Sequence, residues 1–189
     1  MKIRPEVFLS SENKIIYKKI LITGSDEAFI SYIKNHIIED FRKKNFFIDF
    51  SNNLNNNSIG NLFSENKTLF VLSEFPTNKE TSTSDLNNQS VLVASPNGKK
   101  TNAVKSKLIN DKNSLVIECY SLIRGSKEII LKNYIQVNGV TLSSDVFWYV
   151  IENFENNYVI FIKQLEMLSL FNKRIDLISD IEKITFVEN

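Results

Sequence analysis

The chain has 189 residues, 42% of them apolar and 24% charged, and its formal net charge is +1. That length holds one large domain or two small ones with a real core, and the near-neutral balance supplies no overall field to draw in nucleic acid or a membrane. The single cysteine, Cys119, excludes an intramolecular disulfide and suits a reducing cytoplasm; no run approaches the ~20 apolar residues that span a bilayer, and no apolar run follows Lys2 and Arg4 as a signal peptide requires.

Ile20-Leu21-Ile22-Thr23 reads as a buried strand closed by Gly24-Ser25. Over residues 26–43 the apolar residues Phe29, Ile33, Ile37 and Phe41 recur at helical spacing. Ser25 is the expected N-cap, with Asp26 and Glu27 in the first turn, where carboxylates suit the helix dipole. Residues 46–50 form a second predicted strand, and 51–58 an Asn-rich loop or frayed helix start. A short helical segment ends in Leu62-Phe63, and a third strand follows at 69–73, closed by Glu74-Phe75-Pro76. Residues 77–85 are a polar connection. A fourth strand at 90–94 turns through Ser95-Pro96-Asn97-Gly98 into a basic helix at 99–110, and 114–119 is a fifth strand. Strands alternating with helices imply an α/β architecture, a parallel sheet covered on both faces.

After Tyr120 the pattern turns helical. Helices are expected at 126–137, stopped by Asn138-Gly139, from Ser143-Ser144-Asp145 to about 155, at 157–171, and at 178–186. The boundary falls near 122–126, giving an α/β domain at 1–123 and a small helical domain at 124–189.

A strand, a glycine turn and a helix invite the test for a phosphate loop. Such a loop needs, after its first glycine, a second glycine, a lysine and a hydroxyl residue. Counted from Gly24 those positions hold Phe29, Ile30 and Ser31, and Asp26 and Glu27 stand where they would repel phosphate. Gly98-Lys99-Lys100-Thr101 also fails, because Val93 stands five residues before Gly98. The third strand ends in Ser73-Glu74 rather than in paired carboxylates. One histidine, His36, and one cysteine do not make a zinc site of the usual kind, and no Ser-His-Asp arrangement recurs. No catalytic, cofactor or metal residue is assigned. Cys119 ends an apolar strand and reads as an inert buried thiol. Lys99, Lys100, Lys105 and Lys107 make the basic helix, which is either a solvated face or a contact for phosphate backbone. Leu62-Phe63 is either the edge of a core or a plug for a partner's pocket.

The order of these features resembles the delta subunit of the bacterial DNA polymerase III clamp loader. The residues that carry it are Ile20-Leu21-Ile22-Thr23-Gly24-Ser25-Asp26-Glu27, then Leu62-Phe63 with Lys67-Thr68-Leu69-Phe70-Val71-Leu72, then Val91-Leu92-Val93 with the basic helix, Ser114 to Cys119, and Lys163-Gln164-Leu165-Glu166-Met167-Leu168-Ser169-Leu170-Phe171. The resemblance runs from about residue 19 to the end, and order and spacing carry it rather than any one motif. It implies an AAA+-like sheet domain with a degenerate phosphate loop, followed by an all-helical lid, with no ATP hydrolysis and no cofactor. It also implies that Leu62 and Phe63, with Ile59 beside them, enter the pocket of the ring-shaped sliding clamp (the beta subunit) and help to open it for loading on DNA. The other clamp-loader subunits would be further partners, and primer-template DNA an indirect one through Lys99, Lys100 and Lys105; no membrane partner is expected. Two departures stand out. Ser58 occupies the place where clamp-binding motifs carry glutamine, and Gly60 lowers helix propensity. The family's third, collar domain would begin where this sequence stops. The alternatives are a nucleotide-binding or enzymatic protein on a doubly wound sheet, and a stand-alone interaction module of the same fold.

Overall fold

The computed structural model describes residues 1–10, 17–50, 67–75, 89–171 and 174–185. The chain divides into two units, Met1–Tyr120 and Ser121–Asn189. The first is built on a six-stranded sheet whose strands, in chain order, are β1 (Lys2–Ile3), β2 (Lys19–Gly24), β3 (Phe47–Asp49), β4 (Thr68–Leu72), β5 (Gln89–Ala94) and β6 (Ser114–Cys119). Their spatial order is β1-β6-β2-β5-β4-β3, and every neighbouring pair is parallel. A parallel sheet buried on both faces requires unbroken apolar strands. β4 and β6 are buried at every position, and β2 at all but its first.

Successive side chains point to opposite faces. On one face Leu21, Phe70, Leu72, Val91, Val93 and Val116 form a core closed by Leu108 and the half-buried Val104 of helix α3 (Lys99–Ile109). On the other, Ile20 and Leu115 meet Ile37 and Phe41 of helix α2 (Glu27–Lys43) and Phe8 of helix α1 (Pro5–Ser10) around a small cavity. All four helical-face residues expected in α2 are buried. Its N-cap is Asp26, not Ser25: the Asp26 carboxylate accepts from the Phe29 amide at 2.9 Å. The turn after β2 takes one residue more than the sequence reading allowed. β1 and α1 lie outside the predicted elements. A two-residue strand followed by a six-residue helix is too short for periodicity to register.

The second unit holds helices α4 (Arg124–Asn138), α5 (Ser144–Asn153), α6 (Tyr158–Phe171) and α7 (Ile178–Thr185). Gly139 ends α4 in the left-handed conformation at φ 64°, and the Ser143 hydroxyl caps α5. Val146, Val150, Phe161, Leu165, Leu168 and Ile181 are buried. Among these helices runs one parallel ladder, β7 (Thr141–Leu142) with β8 (Arg174–Ile175), beyond the helices the sequence predicted. Lys127 is buried, and its ammonium donates to the Ile151 carbonyl at 3.1 Å and to the Phe154 carbonyl. There it satisfies acceptors that the end of α5 leaves open, and burial lowers its pKa.

Candidate functional site

In open α/β sheets ligands enter the crevice outside the carboxyl ends of the strands, where the connections diverge. Here that place is the end of β2, between β5 and β6. Its backbone is bonded to itself. The amides of Ser25 and Asp26 both donate to the Cys119 carbonyl, at 3.1 and 3.2 Å, and the Asn97 amide donates to the Gly24 carbonyl at 3.0 Å. Gly24 has φ +150°, and a side chain there would lie 1.8 Å from the Cys119 oxygen. This glycine therefore serves the close approach of β2 to the end of β6. The start of α2, where an anion would meet free amides, is taken by the Asp26 carboxylate.

Side chains extend the closure. The buried Thr23 hydroxyl donates to Asn97 Oδ1 at 3.1 Å, Asn97 Nδ2 donates to the Tyr120 hydroxyl at 3.3 Å, and Tyr120 donates to Glu118 Oε1 at 3.3 Å. Glu118, only 9% exposed, also accepts from Lys105 of α3 at 2.9 Å and pairs with Lys2 of β1. Register explains the meeting: Thr23 lies opposite Glu118, and Lys2 lies opposite Val116 on the same face. Burial pushes the Glu118 carboxyl up, but the hydrogen bonds and charges of Lys2 and Lys105 outweigh it, and the net pKa falls below the ordinary glutamate value. The Lys105 pKa is raised, chiefly by its hydrogen bond to Glu118. Burial, with the charges of Asp26 and Glu6, pushes the Cys119 thiol up to about 12.

The residues singled out in the sequence fall in different places. Leu62, Phe63 and Ile59, with Ser58 and Gly60, lie in the chain between β3 and β4, outside the described residues. Lys99 and Lys100 are exposed in the first turn of α3. Lys100 lies 3.8 Å from Glu74, an exposed ion pair of little energetic weight. Lys105 faces the sheet and holds Glu118. The sequence reading missed the Glu118 cluster. Its one signal was a carboxylate inside an apolar strand, a position that demands a partner. Among the described residues no group of three or more His, Cys, Asp or Glu side chains is placed to hold a metal ion, and no helix is long and apolar enough to cross a membrane.

No family model and no curated protein matches the sequence. Solved structures do match the fold. The Bacillus subtilis DNA clamp loader delta protein (YqeN) aligns with 96% of this chain at a TM-score of 0.53 and 13% identity. Thermotoga maritima RuvB aligns with 98% of this chain and 66% of its own at a TM-score of 0.45 and 8% identity. This chain spans 61% of the length of the delta protein. The first likeness shows the fold, a parallel α/β unit followed by a helical one.

Proposed function

We propose that this chain is a non-catalytic, clamp-loader-type protein of DNA replication that binds a sliding clamp through Leu62 and Phe63, with Ile59 beside them, and helps to open it. The observation that carries the reading is the fold shared with a clamp loader delta protein over 96% of the chain. The closed end of β2 supports the non-catalytic part, because the amides and helix start that would cradle phosphate are bonded within the chain. The sequence supports the contact: two large adjacent apolar side chains in a polar stretch suit a desolvated pocket, and each is worth roughly 1.5–3 kcal/mol when fully buried. Other loader subunits are proposed as further partners, and duplex DNA as a contact of the exposed Lys99 and Lys100; Lys105 is already engaged by Glu118.

The test is binding of the chain to the sliding clamp of the same organism, with Leu62→Ala/Phe63→Ala as the variant and circular dichroism as the control for folding. The expected result is measurable wild-type binding and a loss of at least about tenfold in the variant. A folded double variant that binds as tightly as wild type refutes the contact. A rise in melting temperature on adding ATP with magnesium would favour a nucleotide-binding protein instead.

A further inference from the structure

We infer that Glu118 is the hub of a conformational lock that holds α3 and the β5–α3 turn to the sheet from within. Helix α3 has little apolar purchase. Leu108 is its only buried side chain, and Val104 packs beside it only partly buried. The polar attachments are therefore a large share of what fixes it. Lys105 in the middle of the helix bonds Glu118 at 2.9 Å, and Asn97 in the turn before it bonds both Thr23 and Tyr120. Glu118 gathers these attachments, since it also accepts from Tyr120 and pairs with Lys2. One carboxylate thus ties together β1, β6 and α3, and through Tyr120 and Asn97 reaches β2.

Such a chain is directional. Thr23 donates to Asn97, Asn97 to Tyr120 and Tyr120 to Glu118, so each link orients the next. The acceptor at its end is charged and mostly desolvated, which strengthens the bonds made to it and makes their loss costly. The lock occupies the crevice where related sheet architectures take an external anion. It keeps the turn and α3 in one position without a ligand, and releasing Glu118 frees both while leaving α2, on the opposite face, in place.

The test is residue-resolved amide hydrogen exchange of the whole chain by NMR. In Glu118→Gln the amides of Ser95, Asn97 and α3 are expected to exchange about tenfold faster, the size of one lost charge-assisted bond, while the amides of α2 keep their wild-type rates. Unchanged exchange at Ser95, Asn97 and α3, or an equal rise throughout α2, overturns the proposal. Should Glu118→Gln fail to fold, Tyr120→Phe decides. It removes one hydroxyl from a half-exposed ring and cuts only the link between Asn97 and Glu118. Faster exchange at Ser95 and Asn97 alone supports the lock, and wild-type exchange there refutes it.

Discussion

Gly24 shows how a residue can be legible while its reason is not. A glycine between a strand and a helix invites the test for a phosphate loop, which the residues after it fail, and the sequence offers no other reason for it. Its physical reason is different: the Cys119 carbonyl fills the space a Cβ would take, and φ is +150°. Gly24→Ala is expected to destabilise the first unit by roughly 2–4 kcal/mol, from strained backbone and steric overlap together. Chemical denaturation measures it, and a loss under 1 kcal/mol would show that β6 can move aside. Cys119 itself is fully buried. Its thiol, pushed up to about 12 by burial and by the nearby Asp26 and Glu6 carboxylates, carries almost no thiolate at neutral pH. The native chain is expected to resist iodoacetamide at pH 8 and to react fully once unfolded in urea. Rapid labelling of the folded protein would contradict the burial.

At the scale of elements, α2 and α3 mark the limit of sequence reading. Helix α2 was legible because Phe29, Ile33, Ile37 and Phe41 all face the sheet. Helix α3 sets only Leu108 and the half-buried Val104 against the core while Ile109 is exposed, and its Lys105 meets a carboxylate that sits on another element. Periodicity cannot supply that, because the pairing of Lys105 with Glu118 is set by strand register and helix docking. The lysines of α3 therefore divide by role. Lys99 and Lys100 are exposed in its first turn and Lys107 in its last, and on the proposed function Lys99→Ala/Lys100→Ala is expected to weaken duplex DNA binding uniformly across sequences. It should also lower the slope of log affinity against log salt by roughly 2. A slope unchanged in fluorescence anisotropy titrations removes these residues from any DNA contact. Candidate site and fold were unequally legible for the same reason. Apolar runs announce strands, whereas Thr23, Asn97, Tyr120 and Glu118 become one cluster only after the sheet has assembled.

For the whole molecule, the charged groups of the first unit set a pH window. Asp111 is held below the ordinary aspartate value, first by the Ser114 hydroxyl and then by the Asn113 amide, and Glu118 is held down by its two lysines. A carboxylate whose pKa is lower folded than unfolded stabilises the fold above its unfolded pKa and loses that contribution as pH falls through the folded value. Lys105 has the opposite shift, so its contribution is complete below the ordinary lysine range and is lost as pH rises through its raised pKa. The thermal midpoint is expected to hold steady from about pH 5 to 9 and to drop below about pH 4. Asp111→Asn should flatten the acid limb. An acid limb equally steep in Asp111→Asn and wild type would assign the drop to other groups.

The strand order has a consequence for how the chain comes together in time. β6 is the last strand of the first unit in sequence, yet it lies between β1 and β2, the first two. β1 and one flank of β2 must wait for a partner 114 and 95 residues further along, from Lys2 to Val116 and from Lys19 to Ser114, while β4 and β5 find each other sooner. During synthesis the apolar flank of β2 stays uncovered until residue 119 has left the ribosome, and closing so long a loop slows folding. The seam between β2 and β6 is thus the late step of assembly, and the interval before it closes is when this unit is most exposed to aggregation.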